Sequence, residues 1–236
     1  MRKKLGVIGG MGPLATALFM ELVIEMTDAR QDKEHICMDI VNTPTIPDRT
    51  EYILGKSTDC PVEGILSVKK ELECRGADVL AMPCNTAFYF YEELVKEGLP
   101  IIHPIEETAI CLKDAGIKNA GILATDGTIQ TKLFQEGLKQ YGIETVIPDE
   151  VHQKLVMSMI YDDVKAGKPI DSGKMQAVEE HLKSKGAQVL ILGCTELSVA
   201  KRNGLVGPGY LDTLEVMARK AVSECGVLKA QYKKLI

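Results

Sequence analysis

Two stretches of this chain carry the same residues in register at a spacing of 110 residues. The first runs Gly76-Ala77-Asp78-Val79-Leu80-Ala81-Met82-Pro83-Cys84, the second Gly186-Ala187-Gln188-Val189-Leu190-Ile191-Leu192-Gly193-Cys194. Upstream, Val68 falls over Val178 and Leu72 over Leu182. Each copy reads as a helix, a glycine stop, a short buried strand and a cysteine at the strand's C-terminal end. A second echo sets Gly6 and Gly12 over Gly121 and Gly127 at a spacing of 115, so the opening strand-turn-helix is repeated too. The five-residue difference is absorbed in loops. The expected fold class is therefore α/β: two pseudo-symmetric open-sheet lobes with the active site in the cleft between them. Residues 1–98 with 208–236 form the first lobe and 99–207 the second. Open sheets of this class hold ligands beyond the carboxyl ends of their strands, where Cys84 and Cys194 fall.

The chain of 236 residues is 45% hydrophobic and 26% charged, which is ordinary globular composition. A formal net charge of −5 and the lack of a long basic run argue against a nucleic-acid partner. The apolar start Leu5-Gly6-Val7-Ile8 breaks at Gly9-Gly10, which suits a buried first strand and not a signal sequence. Leu14 to Met26 is interrupted by Glu21 and Glu25 and is too short to span a bilayer, so no membrane partner is expected. Seven cysteines without a framework point to reduced thiols and a cytoplasmic location. No Cys-x-x-Cys pair or run of histidines offers a metal site; His35, His103, His152 and His181 lie apart.

In order, a strand over Leu5–Ile8 turns at Gly9-Gly10-Met11-Gly12-Pro13 into a helix over 14–29. Gly10-x-Gly12-x-x-Ala15 matches a dinucleotide fingerprint, but Asn42-Thr43 closes the next strand where that fold needs an acid for the ribose. No cofactor is expected, and the turn reads as N–H donors for a ligand carboxylate. A long loop over Thr43–Thr50 carries Arg49, a carboxylate clamp in the functional reading and a solvated loop arginine in the ordinary one. Helices follow over 63–75 and 86–96, and a strand over 79–82 between them. The second lobe opens with a strand over 101–103 and a helix over 104–115. Strands over 120–124, 144–147 and 189–192 alternate with helices over 129–141, 149–166 and 172–185. A last helix over 211–225 crosses back to cover the first lobe through Leu211, Leu214, Met217, Ala218, Ala221 and Val222.

A cysteine just before a helix N-terminus has its thiolate favoured by the dipole. One such residue suggests a nucleophile or a redox thiol. Two in pseudo-symmetric turns suggest proton transfer on opposite faces of a carbon acid, one thiolate removing a proton and the other thiol returning one. The developing carbanion needs fixed donors around the α-carboxylate. Asn85, Thr86, Thr195 and the backbone N–H groups of both turns are placed to supply them, and Glu196 to accept from a substrate ammonium group. Free cysteines are also common core residues, the reading given to Cys37, Cys111 and Cys225. Among the histidines, only His103, at a strand end, borders the expected cleft.

These residues carry a resemblance. Gly9-Gly10-Met11-Gly12-Pro13, Pro83-Cys84-Asn85-Thr86-Ala87 and Gly193-Cys194-Thr195-Glu196 are similar, in order and across essentially the whole chain, to the signatures of the aspartate/glutamate racemase family, aspartate racemases above all. The resemblance implies two α/β lobes around one active site, no pyridoxal phosphate, and Cys84 and Cys194 as the acid/base pair. It assigns Arg49 and Lys165 to the substrate's side-chain carboxylate. It sets Met11, Thr125 and Thr128 along the pocket and implies a homodimer. Where many members follow Cys-Asn-Thr-Ala with His, this chain has Phe88, a departure that bears on substrate choice.

The function expected is racemization of aspartate, with glutamate or a broader range of amino acids as the alternative. Hydantoin racemization, maleate isomerization and arylmalonate decarboxylation fit less well, because two cysteines with Arg49 and Lys165 suit an amino diacid. A thiol peroxidase has no need of Arg49 or Glu196. A non-catalytic binder of acidic ligands has no need of both cysteines.

Overall fold

The computed structural model describes residues 3–236. The chain divides into two compact units, Met1–His103 with Leu214–Leu235, and Pro104–Thr213 with Ile236. The first contains β1 (Leu5–Gly9), α1 (Pro13–Met26), β2 (Met38–Asn42), α2 (Arg49–Ile53), α3 (Val62–Cys74), β3 (Val79–Ala81), a 3-10 helix over Asn85–Phe90 and α4 (Tyr91–Leu94). Its parallel sheet has the order β2-β1-β3. Ile101 adds a parallel bridge to Leu80, and Ile102 donates to the Leu80 carbonyl at 2.8 Å. A strand expected over 101–103 goes no further than this bridge, because Pro100 and Pro104 lack the N–H groups a ladder needs.

The second unit contains α5 (Pro104–Asp114), β4 (Asn119–Leu123), α6 (Asp126–Gln130), α7 (Leu133–Lys139), β5 (Glu144–Val146), α8 (Glu150–Ser158), a π-helix over Met159–Val164, α9 (Ser172–Ser184), β6 (Val189–Leu192), a 3-10 turn over Thr195–Leu197, α10 (Ser198–Arg202) and β7 (Tyr210–Asp212). Its parallel sheet has the order β5-β4-β6-β7. The last helix, α11 (Thr213–Cys225), returns to the first unit and buries Leu214, Met217, Ala218, Ala221 and Val222.

The repeat is written in the packing of each unit. A Cβ added at Gly6 would lie 2.7 Å from Leu80, 2.9 Å from Ala77 and 3.3 Å from Leu72. At Gly121 it would meet Leu190 at 2.6 Å, and Ala187 and Leu182 at 3.2 Å, the same three repeat positions. Helix and strand therefore close on the first strand of each sheet over a glycine. Thr16 Oγ1 donates to the Gly12 carbonyl at 3.1 Å, and Thr131 Oγ1 to Gly127 at 2.7 Å. The Asp78 carboxylate accepts from the Lys4 N–H at 2.8 Å, and the Gln188 side chain from the Asn119 N–H at 3.0 Å. An ion pair one turn apart recurs with its signs exchanged. Buried Lys69 pairs with Glu73 at 3.1 Å, and Glu179 pairs with Lys183. Each holds the outermost segment of its sheet: Glu73 accepts from the Leu99 N–H at 2.7 Å, and Glu179 from the Tyr210 hydroxyl at 2.8 Å.

Elsewhere the structure corrects the expectations from sequence. β7 occupies Tyr210–Asp212, where the helix expected from Leu211 should begin, and α11 starts only at Thr213. The strand keeps Leu211 and Asp212 in the second unit, so the division falls at 213/214 and not at 207/208. The helix expected over 129–141 is broken at Lys132, which has φ 56°. The helix expected over 86–96 is a 3-10 segment followed by a single α-turn. Two of its aromatics are buried against other rings, Phe90 on Tyr52 at 5.7 Å and Phe88 on His103 at 5.1 Å between centroids. Cys37, expected in the core, is exposed, whereas Cys111 and Cys225 are buried. Among the described residues, no helix is long and apolar enough to cross a membrane.

Candidate active site

In each unit the candidate residues gather at the C-terminal edge of the sheet. In the first, β1 leads to Gly10 and Met11, β2 to the Arg49 loop and β3 to Cys84. Gly10 has φ 100°, and a Cβ there would lie 2.4 Å from the Thr43 backbone, so only glycine lets these two turns meet. Its N–H donates to Thr16 Oγ1 at 3.0 Å, which ties the turn to the first coil of α1. Met11 is buried beside it.

Arg49 stands in a helix and not in an open loop. Asp48 caps α2 by accepting from the N–H groups of Thr50 at 2.8 Å and Glu51 at 3.1 Å. The Arg49 side chain is 8% exposed, and its Nη1 donates to the carbonyls of Ile46 at 3.2 Å and Pro47 at 2.8 Å. These bonds fix the guanidinium while α2 packs against the 3-10 helix that follows Cys84. A buried arginine held this way is no solvated loop residue. Cys84 precedes that helix, and Cys84, Asn85 and Thr86 are all buried.

The second unit repeats the plan. Thr125 ends the turn after β4 and caps α6, its hydroxyl accepting from the Thr128 N–H at 3.3 Å and lying 3.1 Å from Thr128 Oγ1. Both threonines are buried. The Gly193 N–H donates to the Leu123 carbonyl at 2.8 Å, so the Thr125 and Cys194 turns leave neighbouring strands side by side. Lys165 follows the π-helix, where its N–H reaches back five residues to the Ile160 carbonyl at 3.0 Å. Such wide turns recur at functional sites. Inside it Asp163 is buried and bound to Lys174 at 2.9 Å. Lys165 itself is exposed, with its ammonium 4.0 Å above the centre of the Tyr161 ring. The π-helix packs on the 3-10 turn after Cys194.

The Cys194 thiol donates to Glu196 Oε2 at 2.8 Å, and Cys194, Thr195 and Glu196 are all buried. Burial pushes this thiol well above the ordinary cysteine range, and the Glu196 carboxylate pushes the same way. The backbone N–H of Glu196 and the charge of Lys165 oppose them without prevailing. This direction is opposite to the one expected at Cys194 from the helix dipole. A 3-10 turn of three residues sums little dipole, and burial together with the neighbouring carboxylate outweighs it. Glu196, expected to face a substrate ammonium group, accepts from the thiol through one carboxylate oxygen. The repeat position in the first unit is Thr86, so the matched cysteines have unlike neighbours.

The first unit therefore gathers Met11, Arg49, Cys84, Asn85 and Thr86, and the second Thr125, Thr128, Lys165, Cys194, Thr195 and Glu196. Tyr161 was not legible as a partner of Lys165, although its place four residues earlier on one helical face is a usable signal. Ser198 and Asp212 were missed too. Their buried bond of 2.7 Å ties α10 to β7, with Ser198 at the repeat position of Phe88. Among the described residues, one ligating cluster stands apart from the cysteine turns: Asp149, His152 and His181, whose ligand atoms lie within 4.8 Å of one another.

Comparison with known proteins gives the family. The family model for Asp/Glu/Hydantoin racemase matches residues 8–221. The broad specificity amino-acid racemase RacX of Bacillus subtilis is 29% identical over 227 residues, covering 93% of this chain and 96% of that one. The glutamate racemase of Aquifex aeolicus is 32% identical over 169 residues, or 66% of this chain and 64% of that one. The structure of Picrophilus torridus aspartate racemase superposes with a TM-score of 0.83 at 34% identity, covering 98% of each chain. With the family's α/β lobes and both cysteine turns in place, this chain belongs to the Asp/Glu/hydantoin racemase family and is a racemase.

Proposed function

We propose that this racemase interconverts L- and D-aspartate by proton transfer at Cα between Cys84 and Cys194, one acting as base and the other as acid. The observation that carries the reading is the matched pair of half-sites, each a buried cysteine at a strand end with a cation on a neighbouring element. Arg49 serves the first and Lys165 the second. Two cations beyond the α-carboxylate donors suit a substrate with a second carboxylate.

In one direction the Cys84 thiolate takes the Cα proton and becomes a thiol, while the electron pair of the C–H bond stays on carbon. The Cys194 thiol gives its proton to the other face and is left as thiolate. Burial and Glu196 keep Cys194 protonated until that moment, which suits the donor of this direction. Asn85, Thr86, Thr195 and the backbone N–H groups stabilise charge building on the α-carboxylate. Met11, Thr125 and Thr128 line the pocket. The reaction needs no group beyond these side chains. All seven cysteines are free, which supports a reducing cytoplasmic setting. A homodimer acting on free amino acids completes the reading.

Glutamate or a broader range of amino acids is the second reading, favoured by Phe88 at a family histidine position and by the names of the Bacillus and Aquifex relatives. Incubation with each enantiomer of aspartate and glutamate in deuterated water decides between them. Racemization with deuterium at Cα on aspartate alone is expected. Turnover of glutamate at equal or greater efficiency replaces the substrate, and loss of turnover on removing a tightly bound cofactor overturns the mechanism.

A further inference from the structure

The four histidines are scattered in sequence, yet the second unit stacks two of them. Asp149 caps α8, its Oδ1 accepting from the His152 N–H at 3.0 Å and lying 2.7 Å from His152 Nδ1. Its other carboxylate oxygen is 3.6 Å from His181 Nε2, on the last turn of α9. The two imidazole rings lie 3.8 Å apart at an interplanar angle of 16°. Nε2 of His181 accepts from the Asp149 backbone N–H at 3.2 Å, so its lone pair is turned into the cluster. A helix cap needs only the carboxylate. Two stacked imidazoles add nothing to the cap and repel each other when both are protonated.

We propose that Asp149, His152 and His181 form a binding site for one divalent transition-metal ion of the zinc, nickel or cobalt class. Two imidazole nitrogens and one carboxylate oxygen are the donors such borderline ions prefer, whereas calcium and magnesium take oxygen ligands. Metal–nitrogen bonds of about 2.0–2.1 Å require ligand atoms somewhat closer together than the 4.8 Å spread seen here. Closing that gap takes rotation of the two imidazoles out of their present stack. The ion replaces the Nδ1–H contact of His152 and the amide contact of His181, and partial exposure leaves room for water in the remaining positions. Bound there, it ties the N-terminus of α8 to the end of α9.

The test is a nickel titration of the whole protein, by calorimetry and by proton NMR of the histidine rings, beside His152→Asn and His181→Asn. Circular dichroism checks that the variants fold. The wild type is expected to take up one equivalent that both variants lose. Paramagnetic broadening should reach the ring signals of His152 and His181 before those of His35 and His103. A rise in Tm with nickel should appear in the wild type alone. Equal uptake by wild type and both variants, which thiol ligation produces, overturns the proposal, as does simultaneous broadening of all four histidines. None of these readouts depends on racemization.

Discussion

The thiol of Cys194 and the carboxylate of Glu196, two residues apart, share one hydrogen bond of 2.8 Å inside a buried turn. The carboxylate opposes ionisation of the thiol, so removing its charge must lower the cysteine's pKa. Glu196→Gln is expected to bring Cys194 ionisation to lower pH, read from ultraviolet thiolate absorbance against Cys194→Ser. The alkaline limb of the pH–rate profile should move the same way. An unchanged ionisation would mean that burial alone sets this thiol.

Cys84→Ala and Cys194→Ala are each expected to abolish racemization, and the double variant to be no worse than either. Residues acting as one unit lose function together, so the losses do not add. Near-normal turnover by either single variant, with folding checked by circular dichroism, would remove that cysteine from the reaction.

Arg49→Ala and Lys165→Ala are expected to cost about 2–5 kcal/mol in kcat/KM on aspartate, since each leaves a substrate carboxylate without a charge-assisted partner. Neutral amino acids, where turned over, should lose much less. Arg49→Lys should recover little, because an ammonium cannot reproduce the guanidinium fork. Equal losses on acidic and neutral substrates would place both cations away from the side-chain carboxylate.

Tyr161 holds the Lys165 ammonium 4.0 Å from its ring centre. At an exposed site such a contact is worth about 0.5–1 kcal/mol. Tyr161→Leu should therefore raise KM for acidic substrates a few-fold with kcat little changed, and Tyr161→Phe should restore it. Failure of the phenylalanine variant to rescue would assign the effect to the hydroxyl.

Gly6→Ala and Gly121→Ala test the repeat itself. Each methyl would enter a space already filled by a leucine, at 2.7 Å and 2.6 Å. Overpacking of this kind costs about 1–3 kcal/mol, and both variants should shift the denaturant midpoint in the same direction. A harmless substitution at one site alone would mean that the units do not share this contact.

What sequence revealed and what it hid follow from the same physics. Gly6, Leu72, Ala77 and Leu80 could be matched to Gly121, Leu182, Ala187 and Leu190 because close packing demands small and branched residues at fixed spacing. Cys84 and Cys194 were legible because strand ends are not places where apolar periodicity puts a cysteine. β7 was hidden because three residues after Gly207-Pro208-Gly209 merge with the helical pattern that follows. The π-helix over Met159–Val164 was hidden because residue type does not distinguish a four-residue reach from a five-residue one. The burial of Arg49 rests on the nearby carbonyls of Ile46 and Pro47, whereas that of Lys69 depends on a partner far along the chain, the carbonyl of Glu97. So does the stacking of His152 on His181, which joins the two ends of separate helices.

Thr86 and Glu196 occupy the same position in the two cysteine turns, and that mismatch reaches into the kinetics. Mirror-image substrates have equal free energies in water, so their equilibrium constant is unity however lopsided the catalyst. The specificity constants for the L-to-D and D-to-L directions must therefore be identical. Turnover number and Michaelis constant carry no such constraint separately. A cysteine turn that carries a carboxylate and one that carries a hydroxyl at the same position will hold the two enantiomers with different affinities and release them at different rates. Catalytic asymmetry in this enzyme should therefore appear as compensating differences in kcat and KM, and the resting protein should favour the protonation state that receives one enantiomer first.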